Sequence, residues 1–107
     1  MTTFDDRQRA FETQFARDQE LQFKVAARRN RLLGAWAAAR MGLSEVEAEA
    51  YAKDVIRADF EEAGDEDVVR KLLGDLTAAG VDISDADVRQ ALADKTAEAR
   101  RHFMEGL

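Results

Sequence analysis

The chain has 107 residues, a formal charge of −6, one His, no Cys and no Pro, with 36% charged and 46% hydrophobic side chains. That length suits one domain with its own core, and the missing Cys exclude a disulfide scaffold, a thiolate zinc site, an iron–sulfur cluster and a cysteine nucleophile. A single His removes the multi-histidine metal sites, and the longest uncharged stretch, Leu32 to Ala39, is too short to span a membrane.

The first predicted element is a helix from Thr3 to Met41, since nothing breaks it before Gly34 and one Gly is tolerated. It would be about 58 Å long at 1.5 Å per residue, against about 25–30 Å for the helices that follow. Only its second half, with Leu32, Leu33 and Trp36, can be matched in a bundle, so the first part overhangs. Phe4, Phe11 and Phe15 form one stripe on the overhang, surrounded by Asp5, Asp6, Arg7, Arg9, Glu12 and Arg17. An isolated amphipathic segment of this length is marginal in water, so it is expected to be partly disordered alone and helical when docked. The stripe has two readings at this stage: a surface for a partner's groove, or a flap folded back onto the chain's own bundle.

Charge is arranged in blocks. Residues 1–20 carry five acids and three bases, residues 21–44 five bases and no acid, and residues 45–107 seventeen acids and eight bases. A basic helix beside acidic ones most simply means that they pack together. Lys24, Arg28 and Arg31 share a helical face, which gives a weak signal for contact with a phosphate or nucleotide. The acidic balance of the whole chain argues against nucleic acid.

Ser44 and Glu47 make a capping box that starts the second helix near Glu45, after Gly42 has ended the first. Its apolar arc is Ala48, Ala52, Val55, Ile56, Phe60 and Ala63, and Gly64 stops it. A third helix starts near Asp65, with Asp65, Glu66 and Asp67 complementing the helix dipole, and carries Val68, Val69, Leu72, Leu73 and Leu76 to Gly80. Ser84 and Asp87 resemble a second capping box. The fourth helix then runs to about Met104, with Val88, Ala91, Leu92, Ala99 and Phe103 inward and Lys95 at the edge of that stripe.

The fold class is therefore all-α: a four-helix bundle over residues 20–107 with an N-terminal arm over residues 1–19. No enzyme chemistry is expected. Both Ser are accounted for as caps, and His102 has no second ligand. The acidic stretch from Asp82 to Asp87 lacks the glycine and alternating ligands of an EF-hand, and no phosphate-cradling Gly motif occurs. No metal and no cofactor are expected beyond the weak nucleotide contact. Trp36 is expected in the core. The N-terminus lacks the basic flank and apolar core of a signal peptide, so a soluble cytoplasmic protein is expected.

Several motifs bear a family resemblance. Met1-Thr2-Thr3-Phe4-Asp5-Asp6-Arg7, Ala10-Phe11-Glu12, Phe15-Ala16, Asp18-x-Glu20-Leu21-x-Phe23-Lys24 and Ala27-Arg28-Arg29-Asn30-x-Leu32-Leu33-Gly34-x-Trp36-Ala37-Ala38 resemble the zeta subunit of the F-type ATP synthase of alphaproteobacteria. The resemblance runs over the whole chain and is most specific from Thr2 to Ala38. It implies a helical-bundle subunit that binds the catalytic head of the synthase and inhibits its ATP hydrolysis. The implied inhibitory element is the N-terminal segment, Thr2 to about Gln19, inserted between head subunits and anchored by the body. On that implication Phe4, Phe11 and Phe15 are the expected anchors, and Arg7, Arg9 and Glu12 set polar register. The implied location is the cytoplasmic face of the inner membrane, reached through the synthase and without membrane insertion. The free chain is expected to be a monomer. Two other readings are a helical adaptor without inhibitory activity and a nucleotide-responsive binding module.

Overall fold

The computed structural model describes the backbone of residues 4–61 and 64–105, with side chains from Arg17 onward in the first helix. The described residues form four helices and no strand: α1 (Phe4–Met41), α2 (Glu45–Asp59), α3 (Glu66–Ala78) and α4 (Asp85–Glu105). Most of the helix boundaries between these elements have a local chemical cause. Leu43 N–H donates to the Ala38 carbonyl at 3.0 Å and Gly42 N–H to Ala39 at 3.2 Å, closing the end of α1 around Gly42 at φ +72°. Val81 and Gly80 repeat this at the end of α3, on Leu76 and Thr77, with Gly80 at φ +83°. A side chain with a Cβ resists that left-handed backbone, whereas glycine adopts it freely.

Both capping boxes form. Glu47 N–H donates to Ser44 Oγ at 3.2 Å while Ser44 N–H donates to Glu47 Oε1 at 3.0 Å. Ser84 and Asp87 make the same exchange, each bond 3.1 Å. The backbone bond from the cap residue, then the hydroxyl bond, hold the Glu47 and Asp87 carboxyls below their usual range. A carboxylate lowered on folding binds fewer protons than it does in the unfolded chain. Its stabilising contribution is present above the unfolded pKa and is lost as pH falls through the lowered folded value. The Glu47→Gln variant is therefore expected to show a flatter acid limb in a plot of unfolding free energy against pH. At neutral pH, Ser44→Ala is expected to lose about 1 kcal/mol, read by urea denaturation.

α2 and α4 both run antiparallel to the C-terminal half of α1, and α3 bridges them. The core is formed by Leu33 and Ala37 of α1, Tyr51 and Val55 of α2, Val68, Val69, Leu72 and Leu76 of α3, and Val88 and Ala91 of α4. Leu33, Val55, the four α3 residues, Val88 and Ala91 lie on the stripes that helical spacing picks out, whereas Ala37 and Tyr51 join the core from outside them. The α1/α2 crossing is close because it is lined with small residues. A Cβ built on Gly34 would lie 2.6 Å from Ala52 Cα. Tyr51 donates to Asp75 Oδ2 at 2.8 Å, and Lys71 Nζ meets the same oxygen at 3.0 Å. Burial first, and then that bond, push the Tyr51 hydroxyl well above the ordinary tyrosine range.

Two details differ from the sequence reading. α2 ends at Asp59, so Phe60 caps the helix rather than continuing its buried arc, and it is 66% exposed. It lies at the end of the bundle, tilted against Phe23 of α1 at 6.0 Å between ring centroids. Ala63, expected on the same arc, is outside the described residues. Trp36 packs on the edge of the core rather than within it, with the Arg40 guanidinium 4.9 Å over its ring. Lys95 does lie at the edge: its amine reaches Glu98 at 3.2 Å.

The helix lengths determine the shape. α1 has 38 residues, against 15, 13 and 21 for α2, α3 and α4. At 1.5 Å per residue that is about 57 Å against about 20–32 Å. The molecule accordingly measures 65 Å along its long axis and only 26 by 22 Å across.

Candidate functional site

The place where α1 passes the ends of α2 and α3 is held by a polar cluster that the sequence reading did not single out. Arg29 is 7% exposed and Asn30 1%. Arg29 Nη1 donates to Asp65 Oδ1 at 2.9 Å, and Nη2 to Asp59 Oδ1 at 3.2 Å. Its Nε and Nη2 both reach Asn30 Oδ1, at 3.2 and 3.0 Å, while Asn30 Nδ2 donates to Asp59 Oδ2 at 2.9 Å. One guanidinium thus ties α1 to the last residue of α2 and to the cap position of α3. Asp65 occupies that cap position without a side-chain cap bond, because its carboxylate is turned to Arg29. A buried charge without such partners would be strongly unfavourable. With them it holds the base of the projecting helix to two other elements.

Beside this cluster, α1 and α4 leave a groove of about 420 Å³, lined by Leu21, Val25, Ala26 and Arg29 on one side and Arg100 and Met104 on the other. A second cleft of about 430 Å³ lies at the opposite end of the bundle, among Trp36, Arg40, Asp82, Asp87 and Lys95. Its charges are mixed, and Asp87 and Arg40 are already engaged, by the Ser84 cap and by the Trp36 ring.

Of the residues expected to bind a partner, Phe4, Arg7, Arg9, Phe11, Glu12 and Phe15 all lie on α1, within the part that projects beyond the bundle. Their side-chain roles fall outside the described residues. Lys24 and Glu20 form an ion pair at 3.2 Å. Arg28 is half-buried, with its Nε shielded from solvent and without a hydrogen-bond partner, and Arg31 is exposed. His102 is exposed and stands edge-on to Phe103. Among the described residues no group of His, Asp and Glu is placed to hold a metal ion. None of their helices is long and apolar enough to cross a membrane.

A family model described as ATPase inhibitor subunit zeta matches residues 1–102. The chain belongs to the zeta family. It is thus a subunit of a regulatory, inhibitory kind. Among solved structures, one described as the solution NMR structure of the protein is similar, with 48% identity and a TM-score of 0.71. That match covers 81% of this chain and 99% of the other. No curated protein matches.

Proposed function

We propose that this zeta-family subunit inhibits ATP hydrolysis by inserting its N-terminal segment, residues 1–19, at a catalytic interface of the ATP synthase head. The observation that supports this most is the length of α1, which outruns every helix available to pack against it. A helix face without a partner in its own fold is a means of entering another protein's groove. Inhibition then follows from differential binding. The arm fits one rotational state of the catalytic interface better than the next, so occupancy holds the head in that state. Phe4, Phe11 and Phe15 are the proposed anchors, with Arg7, Arg9 and Glu12 setting register. The subunit acts at the cytoplasmic face of the membrane that carries the synthase.

Removal of residues 1–19 is the direct test. The truncated chain added to purified head complex is expected to leave ATP hydrolysis uninhibited, read by a coupled assay of ADP release. Full inhibition by that chain would refute the arm. Within the full chain, Phe11→Ala is expected to cost about 2 kcal/mol of affinity, roughly a thirtyfold weaker inhibition constant.

A further inference from the structure

We propose that the groove at the open end of the bundle, between Leu21, Val25 and Ala26 of α1 and Met104 of α4, is a second docking surface for the ATP synthase head. Its occupant is an apolar helical segment of the head that carries a carboxylate for Arg100. This rests on the proposed function, in that the same head receives the arm.

Continuity of the helix is the first argument. From Phe11, steps of four, seven, four, three and four residues lead through Phe15, Gln22, Ala26 and Arg29 to Leu33. Such steps keep to one stripe of an α-helix. At Leu33 the stripe is core, completely buried. At Ala26 and Arg29 it lines the groove. Beyond it, by spacing alone, come the phenylalanines proposed to dock. A protein that covers Phe11 and Phe15 along this stripe runs directly into the groove, where α4 ends at Glu105. The end of the bundle then acts as a shoulder that sets how far the arm can enter.

The groove also has the chemistry of a contact surface. Its apolar lining is Leu21, Val25, Ala26 and Met104, with Gln22 and Thr96 among the polar residues beside them, and Met104 is 61% exposed, a large apolar side chain left in water. Methionine adapts its shape to a partner. Arg100, at the mouth, is exposed and has no ion-pair partner among the described residues, and Arg101 follows it. A carboxylate on the incoming segment complements that charge and would be steered to it. Arg29, on the floor, already has its carboxylates, so the floor is preorganised. The chain's own arm is a poor candidate for this groove. α1 is helical from Phe4 through the groove, and neither Gly nor Pro occurs in it before Gly34 to let it fold back.

The test uses full-length Met104→Glu, Val25→Glu and Arg100→Glu beside the arm variant Phe11→Ala. Binding to purified head is measured by competition, with far-UV circular dichroism and melting as the check on folding. Each groove variant is expected to weaken binding at least tenfold with helix content unchanged, and Arg100→Glu to reduce the salt dependence as well. Met104 is exposed, so its variant keeps the test valid should Val25→Glu not fold. Groove variants that bind like the unsubstituted chain, while Phe11→Ala binds weakly, overturn this proposal and leave the arm intact. Weakened groove variants together with full inhibition by the chain lacking residues 1–19 support the groove and refute the arm. A change in the oligomeric state of the free chain with head binding unchanged assigns the groove to a second copy and overturns the proposal.

Discussion

Arg29→Ala is expected to destabilise the bundle by about 3 kcal/mol, the low end of what breaking a buried ion pair costs. The low end applies because Asp65, one of its two carboxylate partners, is 47% exposed and can be resolvated. Asp59 is only 17% exposed, and Asn30 is more deeply buried still. Without the guanidinium, Asp59 keeps one hydrogen bond, from Asn30 Nδ2, and Asn30 Oδ1 loses both of its donors. For a domain of this size the loss corresponds to a fall of roughly 12 °C or more in Tm, read by calorimetry. Arg29→Lys should recover only a minor part of it. One ammonium on a flexible stem cannot reach Asp59, Asp65 and Asn30 together, as the planar fork does. Asp59→Asn tests the assignment from the other side: in a double-mutant cycle the two substitutions should be far from additive, because each removes the same interaction. A sum of independent effects would show that Arg29 acts through packing alone. Because this cluster ties α1 to α2 and α3 at the point of exit, Arg29→Ala should also weaken inhibition at temperatures where the chain remains folded.

That cluster was hard to read in the sequence, and the reason is physical. Arg28 and Arg29 are neighbours of identical charge in a block of bases. Charge alone gave no reason to bury the second of them. The available signal was register: Arg29 stands one turn before Leu33, and Asn30 one turn before Gly34. Both therefore belong to the inward side, where a base needs acids from elsewhere. The acids that answer it, Asp59 and Asp65, look like ordinary helix-end residues, and Asp65 in particular reads as a cap. The simple expectation from the charge blocks, that the basic helix packs on acidic ones, was correct in kind. It could not say that one arginine out of five bases would carry the contact.

Most features governed by neighbours in the chain were legible, the end of α2 at Asp59 ahead of Gly64 being the exception. The Ser44 and Ser84 caps and the glycine ends at Gly42 and Gly80 need only a few residues each, so the pattern contains the whole cause. The overhang was legible because it is a matter of length. Phe60 and Trp36 were misplaced because spacing assigns a face, while enclosure depends on where neighbouring helices stop. At Phe60 the bundle is ending, and at Trp36 the neighbouring helix leaves a cleft. Lys24, Arg28 and Arg31 share a face by spacing, yet Lys24 is paired to Glu20 and Arg28 is partly covered. Electrostatic grouping in a sequence does not reveal which charges are already spent within the fold.

Gly34→Ala is expected to destabilise the chain by about 2 kcal/mol, although alanine is the better helix former by nearly 1 kcal/mol at an unhindered site. The sequence permits the opposite expectation, since a lone glycine inside a long helix reads as merely tolerated. The α1/α2 crossing decides the sign. The added methyl would stand 2.6 Å from Ala52 Cα, 2.9 Å from Ala52 Cβ and 3.2 Å from Ala52 N. Two of these three atoms are backbone, so no rotamer change relieves the clash and the helices must move apart. Moving them opens gaps around Leu33, Ala37 and Val55, which are completely buried. Gly74 supplies the control: a Cβ there meets nothing within 4 Å, so Gly74→Ala should stabilise α3 by several tenths of a kcal/mol. The double variant Gly34→Ala/Ala52→Gly separates backbone from side-chain crowding. It removes the Cβ contact but leaves the shorter one to Ala52 Cα, so urea denaturation should show no recovery. Recovery to the stability of the unsubstituted chain would mean that the two helices are held apart by methyl groups and not by their backbones. The small residues that the sequence presents along this crossing, Gly34, Ala37 and Ala38 against Ala48 and Ala52, would then be a matter of composition. Failure to recover makes them the condition for bringing α1 close enough to α2 for Arg29 to reach Asp59.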